Sequence, residues 1–207
     1  MLWAAPDGGL ELRKRASGAL ALAGRFPYNS KAVLHSGGNG QRPKKEQFAP
    51  RAFDYVVNGE GRDRDVHFLV GHSFDRPLAS RAAGTLALAD SEEALTFEAT
   101  IVPEMQAVSY VQDFLNALAA GLVGGISPGF RVAPKDVVPD AETVEEEDPA
   151  LGKALIRTIF AAILFELSVV TRPAYDETSV QVEERNWAPS SGGVLMPRKL
   201  TAAERWR

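Results

Sequence analysis

Ser127, His72 and Glu166 are the three residue types that together make a nucleophilic hydrolase. A serine hydroxyl attacks a carbonyl only when a base takes its proton. Histidine is the usual base because an imidazole exchanges protons near neutrality. A carboxylate beside the ring holds the correct tautomer and stabilises the imidazolium. Spacing in the sequence does not show that the three meet, and each has an ordinary reading as well. His72 could be a strand-end histidine bonded to a carbonyl. Ser127 could be one more serine in a Gly-rich loop. Glu166 could point to water from an edge strand, although a carboxylate in an apolar run is costly to bury without a partner.

The elements around them follow from pattern. Ser127 lies in GGISPGF, residues 124 to 130, read as a short apolar strand ending in a glycine turn. Glycines there let the backbone turn sharply and come close to another chain. His72 ends an apolar strand, DVHFLVGH, at residues 65 to 72. His67, in the same strand, reads as a structural residue, and His35, in a polar loop, as a surface one. Glu166 sits in ALIRTIFAAILFELSVVT, residues 154 to 171, where Ile, Val, Thr and Phe favour two strand segments with a bend. Strict alternation would put Leu164, Glu166 and Ser168 on one face and Phe165, Leu167 and Val169 on the other, core-filling face.

Elsewhere the expectations are coarser. Residues 1 to 17 read as a flexible lead, 18 to 26 as a strand, and 27 to 45 as a loop. Residues 46 to 57 suit a short helix with Pro50 in its first turn and Phe53, Val56 and Val57 on one face. Strands are expected over 77 to 88 and 94 to 102. In the latter, Leu95, Phe97, Ala99 and Ile101 share a face. The apolar spacing predicts a helix over 104 to 119, capped by Gly121. Residues 134 to 150, with six acidic side chains between Asp140 and Asp148, read as a solvated loop without the ligand spacing of a calcium site. A turn is expected at 172 to 175, a last strand at 178 to 183, and a flexible tail from 186 to 207.

Composition bounds the reading. The 207 residues are 45% hydrophobic, enough for one sizeable core. A net charge of -4 does not fit a nucleic-acid binder. The absence of cysteine excludes disulfides and thiolate chemistry, and three histidines leave little for a histidine-rich metal centre. No apolar run reaches the roughly 18 residues of a membrane span, and the N-terminal basic cluster follows the apolar residues, the reverse of a signal peptide. The expectation is a soluble intracellular protein.

Four stretches in chain order resemble the tailed-phage prohead proteases, the capsid maturation proteases similar in fold to herpesvirus assemblins. EQFAPRAF, residues 46 to 53, is similar to a family segment ending in Pro-Gly-Ala-Phe, with Arg51 in place of the glycine. FLVGHSFDRPLAS, residues 68 to 80, is similar to the catalytic histidine block. GLVGGISPGFRV, residues 121 to 132, is similar to the serine block Gly-x-Ser-x-Gly-Phe. FELSVVTRPAYDETSV, residues 165 to 180, is similar to the Glu-Val-Ser-x-Val-Thr-x-Pro-Ala-Tyr block.

The resemblance implies an α+β fold, a bent and mostly antiparallel β-barrel with a few surrounding helices, over a protease domain at 18 to 185. It implies His72 as base, Ser127 as nucleophile and Glu166 as third member. Assemblins use a second histidine in that last role and none follows Ser127, so Asp75 is the alternative. Pro128 has no N–H to offer an oxyanion hole, which moves the expected donors towards Arg172. The implied function is limited endoproteolysis inside the immature capsid, in the host cytoplasm, with no cofactor. The implied substrates are the major capsid protein with its scaffolding region and the protease itself. The portal protein and a second copy of the chain are further candidate partners, and nucleic acid and membrane are not. Two other classes compete. One is a catalytically silent assembly module that keeps the fold. The other is a small-molecule esterase, because Gly125 to Gly129 also fits the Gly-x-Ser-x-Gly elbow. That elbow, however, leads into a helix and its histidine follows the serine.

Overall fold

A computed structural model describes residues 2–3, 10–38, 40–171 and 173. They form thirteen strands in three sheets, with three helices. The first sheet runs β1-β2-β3-β9-β8, built from Leu2–Trp3, Glu11–Lys14, Leu20–Pro27, Ala94–Ile101 and Leu86–Asp90. All its pairings are antiparallel. The face expected for β9 is the buried one: Leu95, Phe97, Ala99 and Ile101 are all in the core. The expected lead contributes β1 and β2.

The second sheet carries the candidate residues in the order β10-β13-β6-β7, from Gly125–Val132, Ala162–Val170, His67–Val70 and Ser73–Ser80. The third is β11-β12-β5-β4, from Glu142–Glu146, Leu155–Ile159, Lys44–Phe48 and Ala32–His35. Each of these two sheets has one parallel pair, β13 with β6 and β12 with β5. The fold is mostly β with few helices, as expected, but the sheets do not close into a barrel. The apolar run at 154 to 171 does break, at Phe160-Ala161, into β12 and β13.

Several local expectations are corrected. The loop at 27 to 45 contains β4 and the start of β5, and His35 lies on β4, exposed. The helix expected over 46 to 57 shrinks to α1, Asp54–Val57, because Lys44–Phe48 is paired as a strand on both sides. The single strand expected over 77 to 88 is β7 and β8 with a turn between them. The helix over 104 to 119 is α2, Pro103–Gln106, and α3, Ser109–Ala119, broken where Val108 turns extended. Gly121 does cap it, its N–H bonding Leu118 O while Leu122 N–H reaches Ala117 O. The acidic stretch includes β11, two of whose carboxylates are paired. Glu142 bonds Arg157 at 2.5 Å, Glu146 bonds Arg42 at 2.8 Å, and the adjoining Glu147 pairs with Lys45. The turn at 172 to 175 (Pro173 aside), the strand at 178 to 183 and the tail lie outside the described residues.

The three sheets meet at an aromatic cluster with one ring from each. Phe26 of β3 and Phe48 of β5 pack edge-to-face at 5.3 Å, and Phe48 and Phe130 of β10 at 4.8 Å. Phe53 joins them at 5.0 Å from Phe48. Edge-to-face rings add attraction beyond the area they bury, and this cluster fixes β10 to the rest of the core.

At the rim of the first sheet, Tyr28 donates a hydrogen bond to Asp90, whose second carboxylate oxygen is buried and finds no hydrogen-bond partner among the described residues. Burial pushes the Asp90 carboxyl up from its ordinary range. A carboxyl raised in the folded state binds more protons than in the unfolded chain. Its favourable contribution is therefore present at low pH and lost as pH rises through the folded value. We expect Asp90→Asn to gain stability relative to wild type between pH 3.5 and pH 7, measured by urea unfolding. A difference independent of pH would contradict this.

Candidate active site

The site is built on one face of β13. Residues directly opposite in a ladder project to the same side. Gly129 faces Glu166, and Phe130, one residue later, faces Leu164, so Phe165 is an extra residue, a β-bulge. Neighbours on β10 point to opposite faces, and therefore Glu166 and Leu164 do too. This corrects the alternation expected from sequence. Leu164 joins Leu167 and Val169 in the core, while Phe165 is half-buried beside Glu166, with the Arg131 guanidinium 5.8 Å from its ring centre. Glu166 and Ser168 share the other face, and both are buried.

Ser127 lies opposite Ser168, on that same face. It does not end a strand in a glycine turn. β10 runs straight through it, and neither Gly125 nor Gly129 has a positive φ. The strand-to-helix elbow of an esterase is therefore not present at Ser127. Ile126 and Pro128 point into the core. Pro128 is tolerated because β10 is last in its sheet's order, where a missing N–H breaks no ladder bond. The glycines serve close approach instead. A Cβ on Gly129 would fall within 3.0 Å of three Glu166 side-chain atoms, and one on Gly125 within 3.0 Å of three Pro173 ring atoms. Ser127 thus stands between a strand position covered by Pro173 and one covered by the Glu166 carboxylate.

His72 reaches the site from a two-residue turn. Val70 pairs with Ser73, and Gly71 and His72 between them have φ of 63° and 61°. Two consecutive positive φ values match the tight hairpin turn that suits the twist of its strands, and histidine is among the few side chains enriched at positive φ. The turn is fastened to β13 twice. Gly71 N–H donates to Val169 O at 3.0 Å, and His72 N–H to Ser168 Oγ at 2.9 Å.

The ring then folds back onto Glu166. His72 Nδ1 and Glu166 Oε1 are 2.7 Å apart, and the second carboxylate oxygen accepts a 2.5 Å hydrogen bond from Ser168 Oγ. With Nδ1–H donating to the carboxylate, Nε2 is left as the acceptor a serine proton requires. Ser127, opposite Ser168, has its Cβ about 5 Å from that of Ser168. Among the described residues its hydroxyl makes no hydrogen bond to His72. Asp75 lies exposed on β7 and forms no ion pair with His72. His67 stands directly opposite Glu166 in the β6–β13 ladder and lines the same cavity, 3.3 Å from Asp65 and edge-to-face with Phe74. An open cavity of about 470 Å³ adjoins Glu166, Gly129 and Phe165. Among the described residues no three His, Asp or Glu side chains are grouped to hold a metal ion, and no helix is long and apolar enough to cross a membrane. Arg172, near which oxyanion donors were expected, is outside the described residues.

Sequence reasoning named His72 and Glu166, which the structure brings into contact, and Ser127, which the structure places on the Glu166 face. It missed Ser168, whose position two residues after Glu166 on one strand face was the available signal. It also missed the bulge.

Comparison with known proteins adds one positive finding. No curated protein and no solved structure matches the chain. The family model described as Caudovirus prohead serine protease matches residues 28–191, a span that contains His72, Ser127 and Glu166 and most of the three sheets. That coverage, most of the chain, shows that this protein belongs to the Caudovirus prohead serine protease family.

Proposed function

We propose that the chain is a serine endopeptidase in which Ser127 is the nucleophile, His72 the general base and Glu166 the carboxylate that orients His72. Membership of the family supports a serine protease role in capsid maturation, inside the immature capsid. The observation that carries the residue assignment is the 2.7 Å contact between His72 Nδ1 and the buried Glu166, on the strand face that also bears Ser127.

In the proposed cycle, Ser127 Oγ attacks the scissile carbonyl carbon while His72 Nε2 takes the hydroxyl proton. The tetrahedral adduct collapses, and the amine leaves with that proton from His72. Water then attacks the acyl-enzyme, His72 accepting its proton and returning one to Ser127 as the acid departs. Glu166 keeps Nδ1 protonated throughout. The cavity beside Glu166 gives an extended substrate room to lie along β10. The substrates we propose are the scaffolding region of the major capsid protein, or a separate scaffold, and the protease itself.

Co-expression with the capsid protein, read by intact mass, tests this. Ser127→Ala should leave the capsid protein at full length while the variant stays folded. Normal processing by Ser127→Ala would overturn the assignment and favour a silent assembly module. Gly129→Ala should be nearly as damaging although it removes nothing, because the new Cβ and the Glu166 carboxylate cannot share one place. Displacing the carboxylate by about 1 Å is expected to slow processing on the order of 10²-fold. Processing by Gly129→Ala at the wild-type rate would show that Glu166 need not stay where it is.

A further inference from the structure

We infer that Ser168 is a positioning residue of this site, a buried hydroxyl that holds Glu166 and the His72 turn in one fixed relation. The inference rests on the catalytic reading above. Ser168 has no exposed surface and stands on β13 between the two groups it serves. It accepts the His72 backbone N–H at 2.9 Å and donates to Glu166 Oε2 at 2.5 Å.

The direction of these bonds is fixed by chemistry. A backbone N–H can only donate, so the hydroxyl meets it with a lone pair, and its single proton goes to the carboxylate. Glu166 Oε2 is thereby occupied, and Oε1 is the oxygen left for His72 Nδ1–H. One hydroxyl thus sets the plane of the carboxylate, the ring nitrogen that carries the proton, and the place of the turn from which the ring hangs. The same commitment keeps the Ser168 proton off its neighbour across the ladder. Ser127, directly opposite, therefore has no competing donor from that side, and its own proton remains for His72.

An ordinary buried serine would satisfy one backbone N–H and affect only stability. A positioning serine affects reactivity while the fold persists. The full-length chain and its variants are treated with a fluorophosphonate probe, and the maximal labelling rate and half-saturating probe concentration are measured. Ser127→Ala, which lacks the reacting oxygen, sets the blank. Ser168→Ala should remain folded and label roughly 10- to 100-fold more slowly, the range expected when a charged acceptor loses its donor. Its half-saturating concentration should stay within about twofold of wild type. Ser168→Thr, which keeps the hydroxyl, should recover to within about fivefold of wild type. Should Ser168→Ala lose its fold by circular dichroism, Ser168→Cys, similar in volume and a weaker donor, is read against the same two limits.

Labelling of Ser168→Ala at the wild-type rate, with Ser127→Ala blank, would overturn the role of Ser168 and leave the catalytic reading intact. Equal slowing in Ser168→Ala and folded Ser168→Thr would also overturn it, because the hydroxyl would not be what matters. Full labelling of Ser127→Ala would instead overturn the catalytic reading itself.

Discussion

A carboxylate buried in the wall of a β-sheet constrains everything near it. Glu166 is 4% exposed, and an ionised group removed from water to that degree costs several kcal/mol unless its oxygens are bonded. Each neighbouring irregularity answers that demand. The Phe165 bulge turns Glu166 away from the core-filling face of its strand. Gly129 clears the space the carboxylate fills, Ser168 bonds one oxygen, and the left-handed Gly71-His72 turn brings an imidazole to the other. These features are expensive separately: a bulge interrupts a ladder, a glycine packs nothing, and histidine at positive φ is strained. Together they leave a prealigned histidine–carboxylate pair with its open nitrogen available.

Prealignment also depends on distant packing. β10, which carries Ser127 and Gly129, is last in its sheet's order and could drift from β13. Phe130 holds it, driven into the cluster of Phe48 and Phe53 that joins the sheets. Pro173 lies over Gly125 at the other end of the same face. The third sheet is tied in a different way. Arg157 of β12 bonds Glu46 of β5 at 2.9 Å and Glu142 of β11 at 2.5 Å, bridging three strands. Because Glu46 is 5% exposed, this pair is of the kind whose disruption leaves a buried charge behind.

What sequence could reveal was governed by the range of the interactions. β9 alternates cleanly because one face is core and the other is not, and its face was readable without a structure. The residue types of Ser127, His72 and Glu166 were readable for a different reason, since few side chains suit that chemistry. The strand Lys44–Phe48 was hidden because its charged residues find partners more than 90 positions away, as Lys45 does in Glu147 and Glu46 in Arg157. In the acidic β11, Glu146 was hidden for the same reason, its partner Arg42 lying 104 positions away. Gly125 and Gly129 suggested a turn because glycine marks both turns and close contacts, and sequence does not separate the two. The bulge at Phe165 and the hydroxyl bridge at Ser168 depend on register between β10, β13 and β6, which no local pattern records.

In the proposed mechanism His72 and Glu166 activate one particular oxygen, Ser127 Oγ. Peptide mapping of the fluorophosphonate-treated protein locates that oxygen. The adduct should sit on the peptide containing Ser127 in wild type and be lost in His72→Ala. An adduct on another serine, or undiminished modification of Ser127 in His72→Ala, would contradict the mechanism.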